Sequence, residues 1–381
     1  MVRSALGLGA LRRWTIVAAG AALIVAAPTL ASGVASAVSR RDAAPPAPAQ
    51  LLQRALRSAT VPHQGLAESR GSLGLPDVRS FGDVAALLGS TTRARVWWSS
   101  PDSWRVARLL TTGEQDLYGT GGRTLVRWDY ERKVRRTSIG DDGLRLPRVD
   151  DLLPPQAARR LLAALAPTDP VTAGPWRRVA GTQAAGLHAV PGSPDSTVGA
   201  LDVWVDPGSG LPLAVAVQDR SGGTALETSF LDVDLRRPAA PDLAPPMPQD
   251  ARIEVGEAPD LVSLVDGYSR RGFPWALAGR RRAVGVLHGT ATYGTGLARF
   301  VVIPLPPGTA DDVLDAMRLR TKVEDVPAGQ LAVIDSGIVT AGVAVSSSGQ
   351  GSYLLAGLVT RDLLTAAGKG LLTSPEAVVS P

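Results

Sequence analysis

Few side chains in this sequence have the types and spacing that catalysis or metal binding requires. The histidines His63, His188 and His288 lie far apart, without the closely spaced pair typical of zinc sites. The paired carboxylates Asp150–Asp151 and Asp311–Asp312 lie near predicted helix starts, where negative charge complements the helix dipole. We therefore expect no metal site, and we favour a structural role for these carboxylates over acid–base catalysis.

Other motifs of catalytic sites are also incomplete. The segment Gly119-Thr-Gly-Gly lacks the Gly-Lys-Ser/Thr ending of a phosphate loop and lies between short strands, which favours a hairpin turn. Ser100 and Ser209 lie in turns without the G-x-S-x-G pattern of a nucleophile elbow. The sequence contains no cysteine, which excludes disulfides and thiolate nucleophiles. We expect a protein that is not an enzyme and that has no cofactor.

The elements that would position a site are mostly β-hairpins. Between Leu201 and Asp219, apolar residues alternate on both sides of the turn at Asp206–Gly210, as in a half-buried antiparallel sheet. The pattern recurs in a meander upstream and in further strands downstream. The predicted strands of this region are 66–75, 93–99, 104–111, 115–118, 123–128, 134–139, 183–190, 198–205, 211–219 and 224–235.

Helical patterns and a proline-rich segment complete the predicted organisation. Amphipathic helices are predicted at 48–59 and 147–166. Residues 237–250 are so rich in proline that they indicate a linker between domains. Beyond it we predict a smaller α+β unit, residues 251–375. It begins with a short apolar stretch at 261–268. Its predicted elements are strands at 280–290, 296–303, 331–338, 339–346 and 352–358 and helices at 311–320 and 360–369.

Composition and charge narrow the class of partner. Of 381 residues, 45% are hydrophobic and 20% are charged, with a net charge of +5, so the chain can bury a substantial core. Its basic residues do not form a stripe with interleaved aromatics, which argues against nucleic-acid binding. Attraction to an anionic membrane surface fits at least as well.

The first 42 residues have the features of an export signal or a membrane anchor. Arg3, Arg12 and Arg13 precede an uncharged run from Trp14 to Ser39, long enough to span a bilayer. Within it, Ala35-Ser-Ala is a possible cleavage site. A cleaved signal peptide and an uncleaved anchor remain open. Both place the rest of the chain outside the cytoplasm.

Several strand–turn–strand segments resemble, in order and spacing, the fold of the LolA/LolB lipoprotein carriers and the MucB/RseB sigma-factor regulators. The resemblance covers about residues 48–236, and the C-terminal unit looks like the second domain of the regulators. It is based on the segments Ser100–Val106, Gly122–Tyr130, Val203–Leu213, Thr228–Leu235, Tyr293–Val302 and Tyr353–Leu364. The sequence departs from the family because it has no lipobox cysteine.

This resemblance implies an α+β protein with two domains. Residues 43–236 would form a half-open antiparallel β-barrel with a helical lid, followed by the linker and the smaller domain. In the carriers such a barrel holds acyl chains by apolar burial, at about 0.8 kcal/mol per CH₂ group. In the regulators it implies binding of an anti-sigma factor's extracytoplasmic domain, which is thereby shielded from proteolysis.

The candidate binding residues follow from the same expectation. The hydrophobic cavity would be lined by residues from Trp97, Trp104, Val106, Leu125, Trp128, Val203, Val205 and Val215. Trp97 and Trp98 are consecutive in a strand and must point to opposite faces, so at most one can line a cavity. Ordinary packing in the sheet core is the alternative for all of them. Arg280–Arg282 could contact an acidic partner or a lipid headgroup, with a solvated strand end as the alternative.

The sequence thus predicts an extracytoplasmic, membrane-associated protein that binds lipid or peptide and regulates envelope-stress signalling through an anti-sigma factor. The principal alternative is a lipid or lipoprotein carrier without a regulatory role. An envelope hydrolase and a purely structural module with a filled core are further possibilities.

Overall fold

The computed structural model describes residues 46–74, 86–139, 147–257, 272–283, 289–347 and 351–373. The N-terminal segment of residues 1–42, the short apolar stretch at 261–268 and His288 lie outside these ranges. Among the helices within them, none has the length and apolar character needed to cross a membrane.

A twelve-stranded sheet forms the larger part of the structure, and its strand order is β12-β6-β5-β4-β3-β2-β1-β11-β10-β9-β8-β7. Its first strands are β1 (His63–Gly71), β2 (Thr91–Ser100), β3 (Ser103–Leu110), β4 (Gly113–Thr120), β5 (Thr124–Asp129) and β6 (Val134–Ile139). They are followed by β7 (Val171–Val179), β8 (Thr182–Ala189), β9 (Val198–Val205), β10 (Pro212–Asp219), β11 (Thr224–Asp234) and β12 (Arg252–Glu257). The order is that of consecutive hairpins, apart from the junctions of β1 with β11 and of β6 with β12.

The pairing of β12 differs from the rest of this sheet. β12 pairs with β6 in parallel, from Arg252 opposite Val134 to Glu257 opposite Ile139, whereas the other described pairings are antiparallel. β12 and β7 are the two edges of the sheet and are not paired with each other, so the sheet is open.

Two helices cover one face of this sheet, here called the helix face. They are α1 (Pro48–Arg57) and α2 (Pro154–Ala163). Leu51 and Ala55 of α1 pack with Ala158 and Leu162 of α2 onto buried side chains of strands β8 to β10. Both helices have proline in their first turn, where the missing amide hydrogen costs no helical hydrogen bond.

The second domain is a six-stranded sheet with a helix on each face. The strand order is β15-β16-β20-β19-β18-β17. The strands are β15 (Ala291–Tyr293), β16 (Phe300–Leu305), β17 (Val323–Val326), β18 (Gly329–Ser336), β19 (Val339–Ser346) and β20 (Ser352–Gly357), and the short strands β13 (Ala276–Leu277) and β14 (Arg280–Arg281) form a separate pair. The helices are α3 (Pro307–Arg318) and α4 (Arg361–Thr373).

Alternation along β18 explains this three-layer arrangement. Leu331 and Val333 pack with α4 residues in one core, whereas Ala332 and Ile334 pack with Leu314 and its neighbours on α3 in another. Successive strand residues point to opposite faces, so β18 is apolar on both sides and needs a helix on each.

The structure differs from the sequence predictions at several elements. The helix expected at 147–166 is a 3₁₀ turn at Val149–Leu152 followed by α2, because Pro154 and Pro155 begin a new helix rather than continue one. Strands β7, β12 and β17 were not expected. Residues 252–257, assigned from sequence to the second domain, pair with β6 in the large sheet.

Candidate functional site

The expected cavity residues of β9 and β10 lie beneath the helices. Val203, Val205 and Val215 are fully buried and belong to the same core as Leu51 and Ala158. Thr228 on neighbouring β11 donates a hydrogen bond to the carbonyl oxygen of Leu152 at 2.6 Å. α1 and α2 therefore cover this part of the helix face, and the side chains of Val203, Val205 and Val215 are packed beneath them.

Trp104, Val106 and Leu125 lie on the same face, farther along the sheet. Trp104 stacks on Trp98 with ring centroids 5.6 Å apart and donates its indole hydrogen to Pro101 O at 3.1 Å. Its ring occupies the space where a side chain on Gly119 would lie, since a Cβ there would come within 2.2 Å of the indole. Trp104 and Val106 are buried, and Leu125 is half-buried beside them.

Trp97 and Trp128 lie on the opposite face of the sheet. Trp97 is half-buried, with the Arg105 guanidinium 4.4 Å from its ring centroid. Trp128 is buried and contacts Tyr130 edge to face, with ring centroids 5.6 Å apart. The eight cavity candidates are therefore divided between two faces, as the alternation of Trp97 and Trp98 requires.

A small cavity lies between β3–β5 and the 3₁₀ turn. It measures about 50 Å³ and is lined by Leu87, Arg108, Gln115, Asp116, Leu117, Arg127, Pro147, Arg148 and Val149. Sites for small molecules typically occupy about 300–1,000 Å³. This cavity is therefore far too small for an acyl chain.

A buried polar cluster centred on Asp116 occupies the face opposite the helices. Oδ2 of Asp116 accepts hydrogen bonds from the hydroxyls of Tyr118 at 2.8 Å and Tyr130 at 3.2 Å, and it forms an ion pair with Arg105 at 2.9 Å. Oδ1 is buried without a hydrogen-bond partner in the described structure. Burial raises the pKa of Asp116 to about 6, although the Tyr118 hydrogen bond and Arg105 act in the opposite direction.

The two described histidines make contacts within the sheet. His63 is buried, stacks on Trp98 and contacts the Val61 carbonyl through Nδ1 at 3.0 Å. Desolvation lowers the pKa of His63 to about 4. His188 contacts Asp202 at 2.7 Å, on strands β8 and β9. Within the described ranges, no group of three histidine or acidic side chains could hold a metal ion.

The edge of the sheet at β6 and β12 exposes apolar side chains. Ile139 is 56% exposed, Ile253 is 54% exposed and Val255 is 73% exposed. The parallel register places Val255 opposite Thr137 and Ile253 opposite Arg135, so all three apolar residues lie on one face. In the described part of the chain β12 has β6 as its one neighbour. An apolar strand with an unpaired edge is a template for pairing with another chain.

Charged residues hold β12 against β6. Arg136 donates to Glu254 through Nε at 2.9 Å, and Lys133 forms an ion pair with Asp250. The hydrogen bond from Arg136 lowers the pKa of Glu254, and that from Lys133 lowers the pKa of Asp250. Sequence reasoning missed this edge, although Ile253 and Val255 alternate with charged residues directly after the proline-rich segment.

The three arginines at 280–282 have different surroundings. Arg280 forms an ion pair with Asp195 of the first domain. Arg282 donates to Phe273 O at 2.9 Å and lies 5.0 Å from the Trp275 ring centroid. Arg281 is exposed. Of the three, Arg281 is thus the one available to an outside group.

The loop between β8 and β9 joins the two domains. Thr197 N donates to Leu358 O at 3.1 Å, and Thr360 N donates to Asp195 O at 2.9 Å. Ser196 forms an antiparallel bridge with Val359. The second domain is thus attached by main-chain pairing at the end of the sheet where β8 and β9 meet, and its partner in the Arg280 ion pair comes from the same loop.

Comparison with known proteins gives likenesses of structure alone. No protein-family model and no curated protein matches the sequence. MucB has 16% sequence identity and a TM-score of 0.46, with 85% of this chain and 96% of MucB covered. The Pseudomonas aeruginosa MucA/MucB complex gives 18% and 0.48, with 86% and 99% covered. A LolA superfamily protein from Nitrosomonas europaea gives 13% and 0.25, with 52% and 98% covered.

The predicted resemblance is confirmed. The solved structures belong to the two groups that the sequence resembles, the MucB type and the LolA type. Identities and TM-scores this low do not define a binding site.

Proposed function

We propose that this protein is a non-catalytic, extracytoplasmic regulator that binds an extended segment of an anti-sigma factor's extracytoplasmic domain. The class of partner follows from the resemblance to the MucB/RseB regulators. The observation that supports a polypeptide ligand is the exposed apolar edge at β6 and β12, with Ile139, Ile253 and Val255 on one face. An extended peptide can add to such an edge through main-chain hydrogen bonds, while its side chains cover the apolar residues.

The proposed shape of the first domain follows the same resemblance. The large sheet would curve into a half-open barrel, for which α1 and α2 form the lid. This arrangement is supported by the packing of both helices against β8 to β10. Trp104, Val106 and Leu125 would then lie at the part of the helix face nearest to any lipid that enters, and Arg281 would be the arginine available to a headgroup or an acidic partner.

The lipid-carrier alternative needs a larger rearrangement. An acyl chain would have to displace α1 and α2 before it could contact Val203, Val205 or Val215, because those side chains are fully buried. A peptide at the β12 edge needs no such displacement. For this reason the structure favours a polypeptide over a lipid as the ligand.

Titration with defined ligands tests the proposal. The probes are the extracytoplasmic segments of the anti-sigma factors encoded in the same genome and, separately, phosphatidylglycerol vesicles. We expect one segment to bind, and we expect Ile139→Lys on β6 to raise its Kd at least tenfold because a charge replaces an apolar contact. Leu319→Lys is the matched control, since Leu319 is an exposed apolar residue of the second domain, 88% exposed.

Two results would contradict the proposal. Binding of vesicles but of no segment would favour the carrier. Equal weakening by Ile139→Lys and Leu319→Lys would show that the β6–β12 edge is not the binding surface. Isothermal titration calorimetry on the full chain measures both affinities directly, with detergent kept out of the vesicle titration because it would dissolve the vesicles.

A further inference from the structure

The attachment of β12 to the large sheet is weaker than that of its other strands. β12 is six residues long and pairs on one side only within the described residues. Its two large apolar side chains, Ile253 and Val255, remain mostly exposed, so their burial contributes little to holding the strand. By contrast, Val126 on β5 is buried in a core with Tyr118 and Trp128, and Ala251 packs against this core. Parallel pairing is also slightly less stable per residue than antiparallel pairing.

The ion pairs that join β12 to β6 are exposed. The side chains of Lys133, Asp250 and Arg136 are 60%, 61% and 53% exposed, and that of Glu254 is 27% exposed. Ion pairs at such positions contribute about 0–1 kcal/mol each, because water and salt screen them. β12 is therefore held mainly by main-chain hydrogen bonds at a sheet edge, which is typical of segments that open locally.

The segment before β12 is long and proline-rich. Residues 235–251 connect β11 to β12 and contain one 3₁₀ turn, Ala240–Leu243. Arg237 donates to Ser99 on β2, and Ala251 packs on Tyr118, Val126 and Trp128. Connections of this length without regular strands or helices are uncommon and are usually functional. The segment runs from β11 to the edge of the sheet where β12 pairs with β6. On its other side β6 is paired with β5, and it keeps that hairpin partner when β12 leaves.

We propose that β12 is a displaceable strand that occupies the edge of β6 in the free protein, and that an extended segment of the partner replaces it. The inference rests on the proposed function and specifies how the partner binds. β12 itself indicates the chemistry of the replacing strand. That strand runs parallel to β6, places aliphatic residues at the positions of Ile253 and Val255, and places a carboxylate opposite Arg136.

Hydrogen exchange on the full chain tests whether β12 opens. We expect the amides of β12 to exchange at least tenfold faster than those of β4 and β5. Exchange of β12 as slow as that of β5 would overturn the inference, since a strand that does not open cannot be displaced.

A synthetic peptide of residues 249–257 tests whether the edge of β6 accepts a strand in trans. Glu254→Arg places two like charges across the pair and should release the strand in cis. By fluorescence anisotropy, the labelled peptide should bind this variant at least tenfold more tightly than it binds the wild type. The charge-swapped variant Arg136→Glu/Glu254→Arg is the control, and it should bind the peptide no better than the wild type. Equal binding to all three proteins would overturn the inference.

An engineered disulfide separates this inference from the proposed function. The chain has no native cysteine, and Thr137 and Val255 are register partners at a strand spacing that a disulfide can bridge. The oxidised Thr137→Cys/Val255→Cys protein should lose binding of the anti-sigma segment, and reduction should restore it. Ser103→Cys/Thr120→Cys, which joins β3 to β4 away from the binding edge, is the matched control and should not respond to oxidation.

The outcomes of this experiment are distinct. If the oxidised Thr137→Cys/Val255→Cys protein binds the segment as tightly as the reduced one, β12 is not displaced and the inference fails. The proposed function then survives provided that Ile139→Lys still weakens binding, since the segment would add to the free edge of β12 and cover the same apolar face. If neither change affects binding, both proposals fail.

Discussion

At the scale of single residues, the contributions of two buried titratable groups to stability change with pH in opposite directions. Asp116 has its pKa raised by burial to about 6, from 3.8, whereas His63 has its pKa lowered by burial to about 4, from 6.5. The contribution of Asp116 to stability is fully present below pH 3.8 and is lost as the pH rises through 6. The contribution of His63 is present above pH 6.5 and is lost as the pH falls towards 4.

Removing one group should expose the pH dependence of the other. We expect Asp116→Asn to lose stability between pH 7 and pH 4 more steeply than the wild type, because His63 is then no longer opposed. The difference in slope can reach about 1.4 kcal/mol per pH unit for one proton. Urea unfolding at several pH values measures it. Parallel curves for the two proteins would contradict the assignment of Asp116 as a buried group with a raised pKa.

At the scale of elements, the packing of α1 distinguishes a filled face from an open cavity. Leu51 is buried against the sheet, whereas its neighbour Leu52 is only half-buried. We expect Leu51→Ala to lower the free energy of unfolding by about 2–5 kcal/mol, the usual cost of a cavity at a buried leucine. Leu52→Ala is the control and should cost less. Equal and small losses in denaturant unfolding would indicate that α1 is loosely attached and opens readily.

Much of the large sheet could be predicted from the sequence, because its strands alternate and its turns are rich in glycine, proline and aspartate. The turn at Gly121–Gly122 has positive φ at both glycines, so it is the hairpin that the sequence favours. β7 was missed because Gly174 and Pro175 interrupt its pattern, and its register with β8 shifts there. Local sequence propensity does not predict a strand whose formation depends on pairing with its neighbour in the sheet.

The candidate site was less predictable, for a different physical reason. Alternation gives the two faces of a strand but does not say which face another element covers. Val203 and Val205 look like cavity residues in the sequence, yet α1 and α2 bury them. The exposed edge at β12 depends on the pairing of residues that are more than a hundred positions apart, Arg136 and Glu254. Local sequence patterns do not indicate such a contact.

At the scale of the whole molecule, the described contacts between the two domains lie far along the strand order from the proposed binding edge. The loop Asp195–Thr197 pairs with residues 358–360, and Arg280 adds an ion pair to Asp195. Gly74, which follows β1, accepts further hydrogen bonds from Ser336 and Arg320. In the strand order, β1, β8 and β9 are each separated from β12 by five or more strands. The β12 edge can therefore bind a partner without breaking the contacts that join the domains.

The central claim is that the β6–β12 edge is where a partner segment binds, and hydrogen exchange on the complex tests it most directly. With the bound anti-sigma segment, we expect the amides of β6 to gain protection and those of β12 to lose it, while the strands beneath α1 and α2 stay unchanged. Protection confined to the helices or to the second domain, with β6 and β12 unaffected, would contradict the claim.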